Sequence, residues 1–142
     1  MVRVQVEYQG DLRCRALHRP SQGEITTDAP VDNHGKGEAF SPTDLVGTAL
    51  GTCMSTIMGI FAQRKEIDLE GMTIEIDKHM SQTTPRRIEK LDVRFMVPVP
   101  STHEFAHALQ AAAMGCPVHH ALTGNVELPV TFEWSDGVVT RG

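Results

Sequence analysis

Three cysteines and seven histidines hold most of the reactive chemistry available to this chain. Cys53 sits in the middle of a long segment compatible with helix, and Cys116 follows Gly115 at the start of a short one. A thiol at a helix start can have its thiolate favoured by the free N–H groups, whereas one in mid-helix needs a nearby cation. Arg13 and Arg15, both on an early strand, are candidates for that cation. Composition alone favours a plainer reading, in which both cysteines are buried and inert, because free cysteine is among the most buried residue types. The third, Cys14, is best read as a core position. Three widely spaced cysteines fit neither a secreted disulfide scaffold nor a clustered four-cysteine zinc site.

Two histidine patterns compete for attention. His103-Glu104-Phe105-Ala106-His107 matches H-E-x-x-H, which on a helix puts two imidazoles on one face with a glutamate beside a metal-bound water. Glu104 also falls at the fourth position of a Ser101-x-x-Glu104 capping box, and Gln110 and Ala113 lack the glycine and histidine of the extended protease pattern. The better expectation is two histidines at a solvated helix start, with no metal. Cys116 with His119 and His120 offers a compact ligand set without a second ligand pair, which again favours an ordinary helix.

These groups must be placed by elements that the pattern of the chain defines. Val2, Val4, Val6 and Tyr8 alternate with polar residues as in a half-buried strand, Gly10-Asp11 makes a turn, and residues 12–18 return as a second strand. Residues 24–27 supply a third. Residues 28–40, rich in turn formers and without a period, form a long loop of the kind that is often functional. Ser41, Pro42 and Asp44 then start the dominant helix, residues 41–64, with a capping pattern and a proline at its first turn. Its apolar residues cover more than one face, so a buried central helix is expected, with Gly47, Gly51 and Gly59 admitting a close neighbouring backbone. Its threonines and Asp44 interrupt any run fit to span a bilayer. Strands follow over 72–80 and 91–97, a helix opens at Ser101, a shorter one at Pro117, and Val126 to Trp134 closes the chain as a strand.

The order is three strands, helix, two strands, two helices, strand: an α+β fold in one domain, residues 1–142. Charged residues make up 22% and apolar residues 40% of the chain, with a formal net charge of -5. That balance argues against nucleic acid as a partner. The N-terminus lacks the apolar core of a signal peptide, so a cytoplasmic location and no membrane association are expected.

Four stretches together resemble the OsmC/Ohr family, the osmotically inducible protein C and organic hydroperoxide resistance proteins. They are Gly10-Asp11-Leu12 after the first strand, the block SPTDLVGTALGTCMS with Cys53 eleven residues after Pro42, the second cysteine in GCPVHHAL, and the closing VELPVTFEW. The resemblance spans nearly the whole chain and identifies it with a divergent OsmC-like branch. It implies an intertwined homodimer with the central helices buried together and active sites at the subunit interface. It further implies a thiol-dependent peroxidase that reduces organic hydroperoxides in oxidative stress defence. Cys53 would be the peroxidatic thiol, forming a sulfenic acid, and Cys116 the resolving one, with a dithiol of lipoyl or other type as external reductant and no bound cofactor.

In the hydroperoxidases of that family an arginine on an early strand steadies the thiolate and is held by a glutamate directly after the helix-start proline. Here that position is Thr43, and the acid stands one place later at Asp44, about 100° around a helix. Arg13 and Arg15 both lie near the arginine's place. Arg13, Arg15 and Asp44 are therefore the supporting candidates. The departure at Thr43 also keeps an alternative open, a non-enzymatic member of the fold that binds a small apolar or electrophilic ligand at the dimer interface.

Overall fold

The alternation at the N-terminus forms strand β1, Val4–Gly10, which pairs antiparallel with β2, Arg13–His18, and β2 pairs in turn with β3, Gly23–Thr27. The computed structural model describes all 142 residues, and backbone contacts divide it into two units, Met1–Val46 and Gly47–Gly142. The expected three-stranded meander makes up the first half of the first unit. Gly10, Asp11 and Leu12 turn the chain with successive positive φ angles of 85°, 51° and 62°. The pairing of Val6 with Ala16 and of Ala16 with Ile25 gathers Val4, Val6, Tyr8, Cys14, Ala16 and Ile25 on one face of this sheet. Arg13, Arg15 and Glu24 lie on the other.

The loop from Asp28 to Phe40 is closed by its own backbone. Asp28 N–H donates to Phe40 O at 3.1 Å, Gly35 N–H to Pro30 O at 3.0 Å and Gly37 N–H to Ala29 O at 3.2 Å, around a single 3₁₀ turn at Val31–Asn33. Gly35 is required there, since a Cβ would stand 1.7 Å from the carbonyl oxygen of Ala29. In this unit only Thr27, Asp28 and Ser41 are buried, and all three are polar.

Helix α1, Pro42–Arg64, starts where Ser41 predicts. Ser41 Oγ accepts from Asp44 N–H at 3.1 Å and Asp44 Oδ2 accepts from Ser41 N–H at 2.8 Å, the reciprocal capping pair. Past the unit boundary the helix buries one face only, through Gly47, Leu50, Gly51, Met54, Met58 and Ala62. Thr48, Ala49, Thr52, Thr56 and Ile60 stay exposed, which corrects the expectation of all-round burial within the chain. The helix is long and apolar enough by length and composition to cross a membrane, contrary to the reading that its polar residues interrupt it. Thr52, Ser55 and Thr56 satisfy their hydroxyls by donating to carbonyls one turn back, at 2.6–2.8 Å. At Gly51 the close neighbour is a side chain and not a backbone: a Cβ would meet Ile76 Cδ1 at 2.5 Å. Gly59 faces open space.

The second unit contains a four-stranded sheet in the order β4, Thr73–Met80; β5, Ile88–Val97; β6, Val130–Trp134; β7, Val139–Arg141. β5 and β6 are parallel, and the other pairs antiparallel. Leu91, Val93, Phe95 and Val97 alternate inward as their period predicts, and Phe95 stacks on Phe132 with ring centroids 4.8 Å apart. β7 is an addition to the expected order, formed by the turn at Asp136 and Gly137 after Trp134. Helices α2, Ala106–Met114, and α3, Pro117–Leu122, complete an α+β fold of two sheets and three helices.

Helix α2 begins later than the capping pattern suggests. Ser101 is drawn away from the helix, since both its Oγ and its N–H donate to Asp136 Oδ2, at 2.7 and 3.0 Å. The helix then starts after Phe105 without a side-chain cap.

Candidate functional site

Cys53 lies on the flank of α1, half-buried between Met54 on the packed face and Thr52 on the open one. Cys116 is fully buried and forms the N-cap of α3, where the extended backbone needed to enter the helix (φ -63°, ψ 134°) turns its side chain back over the first turn. Its Sγ accepts the backbone N–H of His119 at 3.4 Å. Pro117 in the first turn removes an N–H that would otherwise lack a partner. Both cysteines are free thiols, and the Cys116 thiol is hydrogen-bonded to Cys53. The second unit thus brings within hydrogen-bonding reach two thiols that are 63 positions apart (116 − 53) in the chain.

Burial pushes the Cys116 thiol up, and its hydrogen bond to Cys53 adds to that. The N–H groups of His119 and Val118 pull the other way without prevailing. A helix start therefore does not make Cys116 the thiolate; desolvation outweighs the helix end. Cys53 is the less buried of the two thiols.

Beside them the imidazole of His119 is held neutral, its pKa lowered first by burial and then by His120, and its buried Nδ1 has no hydrogen-bond partner. His119 and His120 rings stand 6.1 Å apart at 85° to one another. No three histidine, cysteine or acidic side chains cluster in a way that could hold a metal ion. His103 falls outside α2, where its Nδ1 accepts from Phe105 N–H at 3.1 Å, so His103 and His107 do not share a helix face.

The first unit holds the supporting candidates, and it separates them. Arg15 pairs with Glu24 across β2 and β3, a diagonal cross-strand pair with both side chains about half exposed. Arg13 is held by two acids: its Nη2 lies 3.6 Å from Asp28 Oδ2 and forms an ion pair with Glu38. Asp28 is 1% exposed, its Oδ2 accepts from Glu38 N–H at 3.0 Å, and its Oδ1 is buried without a hydrogen-bond partner. The N–H of Glu38 is the chief reason that its carboxyl sits below the usual range, with Arg13 contributing after burial is overcome. Asp44, the acid expected to support the site, has its Oδ2 engaged in the helix cap. Cys14 lies opposite Tyr8 and Thr27 in the sheet, half-buried and free, apart from the polar face that carries both arginines.

Asp28 and Glu38 were not among the residues that the sequence singled out. The available signal was the unusual length of the loop that brings them together, not either residue type.

A family model described as OsmC-like protein matches residues 35–131. Among solved structures, the chain is similar to a candidate osmotic stress induced and detoxification response protein from Psychrobacter arcticus 273-4. That similarity has 42% identity and a TM-score of 0.86, over 93% of this chain and 96% of that one. It is also similar in fold to an organic hydroperoxide resistance protein OsmC from Legionella pneumophila, at 18% identity and TM-score 0.74 over 93% and 96% of the two chains. A candidate organic hydroperoxide resistance protein from Vibrio cholerae O1 biovar eltor str. N16961, with captopril bound in one of its active sites, aligns at 16% identity and TM-score 0.75, over 99% of this chain and 94% of that one. No curated protein matches the chain.

Proposed function

The chain belongs to the OsmC-like protein family, and on that footing we propose that it is a thiol-dependent peroxidase that reduces organic hydroperoxides. The observation that carries this reading is the contact between the Cys53 and Cys116 thiols, one half-buried and one fully buried. The names of the relatives in Legionella and Vibrio support the substrate class.

In the proposed cycle the Cys53 thiolate attacks the terminal, hydrogen-bearing oxygen of the hydroperoxide. The O–O bond breaks, the sulfur is oxidised to a sulfenic acid, and the alkoxide takes a proton and leaves as alcohol. The Cys116 sulfur then attacks the Cys53 sulfur. The S–S bond forms, the S–O bond breaks, and the hydroxyl leaves as water with the proton that Cys116 gives up. An external dithiol returns two electrons and two protons and regenerates both thiols, so no bound cofactor is needed. A protonated Cys116 suits this order, because it withholds the second sulfur from the peroxide while donating to the first.

We propose a homodimer as the working form, in a reducing, cytoplasmic setting. A three-stranded sheet whose apolar face leaves Val4, Val6, Tyr8 and Ile25 50–64% exposed, in a unit with no buried apolar residue, supports a second copy as its cover.

The test is steady-state consumption of cumene hydroperoxide with dihydrolipoate as reductant. Turnover that Cys53→Ser abolishes would support the proposal. Wild-type protein that consumes peroxide no faster than a free thiol would overturn it and favour the non-enzymatic ligand-binding alternative.

A further inference from the structure

For Cys116 to bond to Cys53 it must lose its proton, and it must do so from a fully buried position. The residue that shares its turn is His119. The backbone N–H of His119 donates to Cys116 Sγ at 3.4 Å, and its Nδ1 is buried with no hydrogen-bond partner. In a capped first turn the third residue is the one whose side chain can reach back over the cap. Its usual target there, the N–H of the cap residue, is already taken, since Cys116 N–H donates to Ala113 O at 3.2 Å. A buried nitrogen without a partner carries a free-energy cost, and a part in a reaction is one reason to keep it.

We infer that His119 Nδ1 is the base that takes the Cys116 proton as the disulfide closes. This deepens the peroxidase reading and rests on it for the sulfenic acid that Cys116 attacks. With the ring proton on Nε2, Nδ1 offers a lone pair in the first turn of α3. In the reduced chain the Cys116 thiol is hydrogen-bonded to Cys53, so the thiol and the ring turn toward each other once Cys53 is oxidised. Cys116 Sγ attacks the Cys53 sulfur, the S–S bond forms and the S–O bond breaks. The proton passes from Sγ to Nδ1, and the imidazolium then protonates the departing hydroxide, which leaves as water. The titratable groups about the ring are Cys116, Cys53 beyond it on α1, and His120, whose ring stands 6.1 Å away. Burial keeps the imidazole neutral and so able to accept, while it holds the Cys116 thiol protonated. Such a thiol is hard to deprotonate before the attack and acidic once the S–S bond forms, a change that a base of intermediate strength serves.

The experiment is the reaction of the reduced protein with one equivalent of 4,4′-dithiodipyridine, in a Cys14→Ser background, with and without His119→Gln. Stopped-flow absorbance reads thiopyridone release in two steps. The first accompanies the mixed disulfide on Cys53, and the second accompanies closure by Cys116, so the readout needs no peroxidase activity. His119→Gln is expected to leave the first step unchanged and to slow the second about a hundredfold at pH 7. The gap should narrow as rising pH deprotonates Cys116 directly. His119→Asn serves the same comparison if His119→Gln does not fold. A second step in the folded variant as fast as in the parent, a slowing that stays constant across the pH range, or a parent with no second step would overturn the inference. A parent that shows the His119-dependent closure yet reduces no cumene hydroperoxide would instead refute the peroxidase reading and leave the role of His119 in closing the disulfide standing.

Discussion

At the scale of single residues, the two sulfurs differ because their surroundings differ, not because of where they stand in their helices. Desolvation raises the Cys116 pKa despite its place at a helix start. Alkylation of Cys116 should accordingly trail that of Cys53 and become fast only above the ordinary cysteine range, about pH 8.5. Peptide mapping after timed exposure would check this, and equal labelling of both thiols at pH 7 would contradict it. Asp28 behaves in the opposite sense. Its carboxyl is lowered in the folded chain, so the stability that its contacts provide is fully present above the ordinary aspartate value of about 3.9 and is lost as pH falls through its lower folded value. Acid titrations of wild type and Asp28→Asn should therefore run at a constant separation above pH about 5 and converge at low pH. The resemblance made Cys53 and Cys116 legible as a pair, and Ser41 with Asp44 was legible as a cap. Asp28 was not, because nothing about an aspartate in a loop reveals which backbone N–H will turn to meet it.

At the scale of elements, the same local pattern had two outcomes. Ser41-x-x-Asp44 closed on itself and began α1, while Ser101-x-x-Glu104 lost its serine to Asp136, a residue 35 positions away (136 − 101). A capping box is a local bid that a tertiary partner can outcompete, and the winning partner here sat in a hairpin that the reading of the chain left out. The Asp136-Gly137 turn and the alternation after it were the available signs of β7. Ser41→Ala should lower stability by about 1–2 kcal/mol, measured by urea unfolding, since it removes a buried cap oxygen. Gly51→Val should cost about 1–3 kcal/mol by forcing Ile76 aside, whereas the same change at Gly59 meets open space and carries only the propensity difference. Similar losses at the two positions would mean that α1 packs on β4 differently from this arrangement.

At the scale of the whole molecule, the periodicity of the chain foretold its fold class. Periods of two and of three to four residues mark the strands and the long helix, and these are set by backbone geometry that any sequence must obey. The first unit is different: its alternation is clear, yet the apolar side it predicts faces outward, with no core of its own. The proposed second copy would cover that face, and light scattering should then give a dimer. Val6→Lys, in the middle of the exposed face, should shift the protein toward monomer; a wild-type monomer at micromolar concentration would remove the reason for the pattern. The proposed cycle requires the two sulfurs to act as one unit, and this is tested most directly by treating the reduced protein with one equivalent of cumene hydroperoxide and mapping its disulfides by mass spectrometry. The expected product is a single Cys53–Cys116 bond within one chain, formed in the wild type and replaced by a trapped Cys53 sulfenic acid in Cys116→Ser. Oxidation centred on Cys14, or two intact thiols at Cys53 and Cys116 after the peroxide has gone, would contradict it.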